Sequence, residues 1–266
     1  MESVRHHGRA TAYREAAGSP ADVTDTEPTV CYVHGSGGTH RVWAGQYGAG
    51  GPTGSAVAVD LSGHGDSDDV DADAGYETLS AYADDVIAVA EATDARILAG
   101  NSLGGAVALH VALERTDEID LDGLILAGTG ARLAVLESLR EWLADDFERA
   151  IEFLHKPGRL FADPDPELVD ASETVMRETG RAITERDFLT CHEFDVRDDL
   201  GEIDTPTLAI AGEGDQLTPP RYHDFLASEI PDAALAIVEN AGHLAMLEQP
   251  EAFNTAVYRF VTDLDR

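Results

Sequence analysis

Six short apolar runs punctuate the chain: TVCYVHG (29–35), SAVAVDLSG (55–63), ARILAGNS (95–102), LDGLILAGTG (121–130), PTLAIAGEGD (206–215) and AALAIVENAGH (233–243). Each stays apolar over four to six residues without alternating with polar ones. Such runs, rich in Val, Ile, Leu and Ala, predict strands buried on both faces and hence a parallel sheet. Between most of them the pattern becomes helical, at about 79–93, 103–115, 220–228 and 250–263. Alternating strands and helices predict a doubly wound α/β fold. The N-terminal segment RATAYREAAG suits an antiparallel edge hairpin.

One connection breaks this rhythm. Between Gly130 and Pro206 lie about 75 residues with no buried-strand run. They hold the helical stretches 133–154 and 166–182, and Pro157, Pro164 and Pro166 break the segment in its middle. This predicts a helical cap at 131–199, inserted into a core formed by 1–130 and 200–266. No internal repeat or low-complexity segment is present.

Composition narrows the function classes. Of the 266 residues 43% are apolar, too many for a disordered chain. No apolar stretch nears the roughly 18 residues of a membrane helix, and the first residues, MESVRHHGRATAYREAAG, have no apolar signal-peptide core. Two cysteines, Cys31 and Cys191, argue against a disulfide framework. A cytoplasmic protein is expected.

Charge changes the picture further. Asp plus Glu number 51 against 18 Lys plus Arg, for a formal net charge of -33, and Lys156 is the single lysine. Nucleic acid and anionic membrane surfaces are poor partners for such a chain, because a polyanion is bound by displacing its counterions with basic residues. The acids are spread over the whole length, as in proteins from very salty cytoplasm. At molar salt the Debye length is only about 3 Å, so self-repulsion is largely screened. The expected partner is a small-molecule substrate. The oligomeric state stays open, a homo-oligomer included.

Every predicted strand runs into Gly, Asp, Ser or His, and ligands of open α/β sheets bind beyond the carboxyl ends of the strands. At one such end, Gly100-Asn101-Ser102-Leu103-Gly104 matches G-x-S-x-G between a strand and a helix, the context of a nucleophile elbow. The tight turn needs small residues two before and two after the serine, and Gly100 and Gly104 meet that need. A bare G-x-S-x-G also occurs as an ordinary glycine-rich turn, so the rest of the chain must supply a base.

A serine hydroxyl is a weak nucleophile until a base takes its proton. Of ten histidines, His34, His64 and His243 lie at or just after strand ends. His6, His7, His155, His192 and His223 lie outside those loops, and His110 falls inside the helix after Ser102. His243, in ENAGHLAMLEQPEAF, follows the last strand, in the chain order Ser…Asp…His. Asp215, ending PTLAIAGEGD, is the candidate to orient it, with Glu213 the nearby competitor. The loop GTGARL after the preceding strand offers no carboxylate. For an oxyanion, the N–H of Leu103 follows the nucleophile directly, and a second donor is expected from HGSGGTHRVW (34–43), at Ser36.

The five segments VHGSGG, DLSGHGDSD, GNSLGG, GEGDQLTPP and NAGHLAMLEQPEAF stand in one order along nearly the full chain, and in this the sequence resembles the α/β-hydrolase superfamily. The resemblance implies a mostly parallel eight-stranded sheet with a helical cap after the sixth strand. It makes His34 and His64 structural residues of their loops.

Other signals fail. GSGGTH and GHGDSD lack the last glycine of a dinucleotide fingerprint. Asp69, Asp71 and Asp73 imitate a calcium loop, but Ala74 and Ser80 stand where its Gly and Glu belong. HEFDV (192–196) lacks the second His of a zinc motif. No metal and no cofactor are expected. The function expected is serine hydrolysis of a small to medium ester, thioester or lactone. Hydrolysis of carbon–carbon bonds in ring-cleavage products is an alternative, as GNSLGG and HGSGG are similar to that family. That family commonly has Trp after the catalytic His, where this chain has Leu244. Cofactor-free haloperoxidase-like chemistry would use the same three residues. A non-catalytic ligand-binding protein on the same scaffold is the alternative of another class. The aromatic and Met residues of the cap, Trp142, Phe147, Phe153, Phe161, Met176 and Phe188, divide between cap core and pocket.

Overall fold

The computed structural model describes residues 1–17, 28–48, 51–163 and 165–264. Gly18 and Pro164 of the segments above lie outside them. Eight strands form one sheet: β1 (Glu2–His6), β2 (Arg9–Ala17), β3 (Thr29–Val33), β4 (Ser55–Val59), β5 (Ala95–Asn101), β6 (Gly123–Ala127), β7 (Thr207–Gly212) and β8 (Ala233–Val238). Their spatial order is β1-β2-β4-β3-β5-β6-β7-β8. The hairpin β1–β2 joins β4 antiparallel, and all later pairings are parallel.

The helices are α1 (Ala44–Tyr47), α2 (Tyr76–Thr93), α3 (Leu103–Glu114), α4 (Glu137–Asp145), α5 (Phe147–Leu154), α6 (Pro166–Thr179), α7 (Arg181–Glu193), α8 (Pro220–Glu229), α9 (Ala245–Glu248) and α10 (Pro250–Leu264). Helices α4 to α7 occupy the long connection between β6 and β7. Asp165 caps α6 by accepting from Glu167 N and Leu168 N, and Pro166 opens it. Both are strong helix starters, since the first turn has unpaired N–H groups and proline has none to leave unpaired.

The apolar runs explain the core. Strands β5 and β6 are buried along nearly their whole length, and two apolar layers lie on opposite faces of the sheet. Helix α3 is buried from Leu103 to Ala112, all round its circumference. Strand β8 departs from the pattern. It is a sheet edge, with Leu235 40% and Ile237 42% exposed, not a strand buried on both faces. An apolar run also occurs in an edge strand that buries little: of β8 only Val238 is buried.

The crossing of β5 into α3 leaves no room for side chains. A Cβ on Gly100 would lie 2.1 Å from Gly104 O, and one on Gly104 2.3 Å from Val33 O. These two glycines let α3 start directly against β3 and β5, which aims its amino end at the carboxyl edge of the sheet.

Candidate active site

Between β5 and α3 the backbone turns at Ser102 with φ 55° and ψ -115°. A non-glycine residue in this region costs roughly 1–3 kcal/mol and persists only where its surroundings over-determine it. They do so here. Ser102 N–H donates to Ala127 O at 3.0 Å, and Ser102 O accepts from Gly105 N, Ala106 N and the Thr129 hydroxyl. Asn101 Nδ2 donates to Ala127 O and to His243 O, tying the turn to the loop of the histidine.

That loop is held from several sides. His243 N–H donates to Arg159 O and Leu244 N–H to Leu160 O. The Glu248 carboxylate accepts Gly242 N–H at 2.6 Å and Ala162 N–H at 2.9 Å. The segment before α6 is thereby fastened to the loop that carries the imidazole.

Asp215 and His243 are hydrogen-bonded, Nδ1 to Oδ2, at 2.9 Å, and both are buried. The carboxylate is saturated. Oδ1 accepts the N–H groups of Leu217 and Thr218, and Oδ2 also accepts the Thr218 hydroxyl at 2.8 Å. Burial alone would raise its pKa; the His243 imidazole and these hydrogen bonds outweigh that and lower it to about 2. A carboxylate ionised at Oδ2 fixes the neutral imidazole with its proton on Nδ1, which leaves the Nε2 lone pair free. Glu213, the competing carboxylate, is exposed.

Ser102 and His243 line one cavity of about 780 Å³, with Ser36, Thr218 and Cys191. Among the described residues neither Ser102 Oγ nor His243 Nε2 has a hydrogen-bond partner. The backbone N–H groups of Leu103 and Ser36 are likewise unpartnered. Apolar side chains form most of the wall, among them Phe153, Leu160, Met176, Phe188 and Leu217. Of the six cap residues singled out in the sequence, Phe153, Met176 and Phe188 reach the cavity. Phe161 is fully buried elsewhere, and Trp142 stacks edge-on against Phe153 at 5.1 Å. A second groove, of about 1170 Å³, lies at the amino ends of β3, β6 and β7 and has no histidine in its lining.

His34 and His64 are buried, their rings 4.6 Å apart. Leu61 N–H donates to His34 Nε2, so Nδ1 carries the proton and donates to Gly35 O. No group of three or more His, Cys, Asp or Glu arranged for a metal occurs among the described residues, and no helix there is long and apolar enough to cross a membrane.

Three contributors escaped the sequence reading. Thr218 sits three residues after Asp215, and a Ser or Thr there is a local signal that could have been used. Glu248 lies five residues after His243 but meets its partners only through the cap segment. His223 lies outside the strand-end loops, on α8, yet it is buried beside the site and accepts Thr129 N–H at Nε2.

His223 yields a test of burial. Burial lowers its pKa to about 4, against about 6.5 in an unfolded chain. Below pH 6.5 the unfolded chain binds a proton that the folded form refuses until about pH 4. Its contribution to stability is therefore complete above pH 6.5 and is lost as pH falls to 4, with a slope of up to about 1.4 kcal/mol per pH unit. His223→Gln keeps an acceptor for Thr129 N–H and removes the titration. Denaturant unfolding of this variant in molar KCl is expected to lose less stability between pH 6.5 and 4.5 than wild type. Parallel curves would refute the assignment.

Residues 32–256 match the profile of a family described as "Alpha/beta hydrolase family". The chain is 31% identical over 229 residues to a pimeloyl-[acyl-carrier protein] methyl ester esterase of Neisseria meningitidis, an alignment covering 76% of this chain and 80% of the relative. It is 28% identical over 258 residues to a putative carbamate hydrolase, RutD, of Agrobacterium fabrum, covering 91% and 97%. Among solved structures, a thermophilic esterase superposes with TM-score 0.83 at 29% identity, covering 99% of this chain and 97% of that one. The enol-lactonase of Burkholderia xenovorans LB400 superposes with TM-score 0.84 at 21% identity, covering 98% and 100%, a likeness of fold.

Proposed function

Because the chain belongs to the alpha/beta hydrolase family of enzymes, we propose that it is a serine hydrolase that transfers an acyl group to water through Ser102, His243 and Asp215. The observation that carries this reading is the ionised Asp215 bonded to Nδ1 of His243, which lines the same cavity as Ser102, a residue on a strained backbone turn whose hydroxyl has no partner among the described residues. His243 Nε2 takes the Ser102 proton as Oγ attacks the substrate carbonyl. The oxyanion is received by the N–H groups of Leu103 and Ser36. His243 then protonates the leaving group, and a water activated by the same imidazole releases the acid. Apo geometry between hydroxyl and base is often loose and tightens with substrate bound.

The substrate class is a small to medium carboxylic ester, thioester or lactone. The apolar wall of the cavity favours an apolar acyl or aromatic group, and the relatives named as esterases support ester chemistry. Residues 131–199 act as the cap domain over the core of 1–130 and 200–266, supplying Phe153, Met176 and Phe188 to the pocket. The dispersed acid excess suits a protein working in concentrated salt.

The test is a panel of p-nitrophenyl esters, thioesters and lactones in molar KCl, competed against a fluorophosphonate probe. Expected are labelling of Ser102 and faster turnover of at least one ester than of a 2-hydroxy-6-oxo-dienoate. Faster loss of the dienoate's colour would move the reaction to carbon–carbon hydrolysis. An unlabelled Ser102 would make the protein a binding scaffold.

A further inference from the structure

The loop His34–Gly38 is gripped from the helical segment between β6 and β7. Gly37, with φ 66°, donates its N–H to Asp187 Oδ2 at 2.9 Å. Asp187 lies on α7, is fully buried, and stands 150 residues away in sequence. The same Oδ2 is 2.9 Å from His64 Nε2, and Oδ1 accepts the Tyr82 hydroxyl at 2.7 Å. Burial by itself would raise the Asp187 pKa and lower that of His64. Their mutual attraction reverses both, leaving Asp187 low and His64 high. The Thr179 hydroxyl, on α6, donates to Gly37 O at 3.3 Å. Ser36 Oγ lies 3.6 Å from Cys191 Sγ, again on α7.

This network bears on the direction of one N–H. Gly35 C=O and Ser36 N–H share a planar trans peptide, so they point in opposite directions. Gly35 O is turned inward by Gly38 N–H at 3.0 Å and by His34 Nδ1 at 2.9 Å. Ser36 N–H must then point the other way. Asp187 fixes the next peptide, through Gly37 N–H, and with it the turn that brings Gly38 under Gly35 O.

We infer that Asp187 is a positioning residue, which holds the Ser36–Gly37 peptide so that the Ser36 N–H is preset for the oxyanion. This rests on the acyl-transfer reading above. A donor set before the reaction helps the transition state more than the ground state, so the effect falls on kcat. The Tyr82 hydroxyl, on α2, meets Oδ1 of the same carboxylate, not the Oδ2 that receives Gly37 N–H.

Two variants separate these roles. Loss of a whole oxyanion donor lowers kcat by about 10²–10³; Asp187→Ala misaligns one, and a fall in kcat of about tenfold or more is expected, with KM within about threefold of wild type. Tyr82→Phe removes a bond to the same carboxylate but leaves Gly37 held, and its kcat is expected within about threefold. Asp187→Asn, whose amide oxygen still receives Gly37 N–H, is expected to recover most of the loss. Turnover by folded Asp187→Ala within threefold of wild type would overturn the inference, as would an equal loss in Tyr82→Phe or a loss confined to KM. Should Asp187→Ala not fold, a fall of tenfold or more in folded Asp187→Asn overturns it, and near-normal turnover upholds it. Fluorophosphonate labelling of the wild type separates the two failures: an unlabelled Ser102 sinks the acyl-transfer reading itself, whereas a labelled one with normal Asp187→Ala turnover sinks only this inference.

Discussion

Replacement of Ser102 by alanine is expected to lower ester hydrolysis by about 10⁴-fold or more, to the level that oxyanion donors and binding alone sustain. The change removes the attacking oxygen and little else. Alanine keeps a Cβ, so the backbone strain at φ 55° is retained, and the hydroxyl lost makes no hydrogen bond among the described residues. The fold and thermal midpoint should therefore stay close to wild type. KM for an ester should change little, since the walls of the cavity are untouched. The measurement is steady-state hydrolysis of a p-nitrophenyl ester above the buffer rate, with fluorophosphonate labelling alongside. Turnover at an undiminished rate would mean that the chemistry does not begin at residue 102.

Asp215→Asn should be nearly as severe, with kcat down by about 10³–10⁴, for a reason visible in the hydrogen bonds. The backbone N–H groups of Leu217 and Thr218 both point at Oδ1. The asparagine oxygen must take that place, because an amide nitrogen there would meet two donors. The NH₂ group then falls at the Oδ2 position, facing His243 Nδ1 and the Thr218 hydroxyl. It donates to Nδ1 and drives the proton of the imidazole to Nε2, so the ring faces Ser102 with a donor and cannot accept the hydroxyl proton. The same substitution alters acid stability. With its folded pKa lowered to about 2 and an unfolded value near 3.9, Asp215 contributes stability that is complete above about pH 4 and is lost as pH falls to 2. The variant's stability between pH 4 and 2 should fall less steeply than that of wild type. Wild-type kcat in Asp215→Asn would show that Asp215 does not set the tautomer.

How much of this was legible in the sequence differs from element to element. The runs that became β3 to β7 were readable because burial on both faces leaves no polar positions to confuse the pattern. The same kind of run at 233–243 misled about burial, since β8 has a neighbour on one side only. Strand β1, with the sequence ESVRH, carries too many polar residues to stand out, yet it pairs along its whole length with β2. Helix α7 likewise lacks a clear apolar face, because Thr184, Asp187 and Thr190 are among the residues it buries. Thr184 bonds back to Gly180 O at the start of its own helix, while Asp187 and Thr190 find partners in distant loops, a fact with no trace at helical spacing.

By itself the sequence determined the class of the fold, the serine between two glycines, and the candidates His243 and Asp215. Chain order, local spacing and apolar periodicity are properties of neighbours along the chain, and these features depend on nothing else. The tertiary structure decided which groups meet across more than 80 residues: Asn101 with the His243 carbonyl, Asp187 with Gly37 and His64, and Glu248 with the segment before α6. Those contacts arise because a parallel sheet brings the carboxyl ends of distant strands to one edge. There, buried polar groups must find partners or be left unpaired at a cost of about 1–3 kcal/mol each, and the partners nearest in space are far away in sequence.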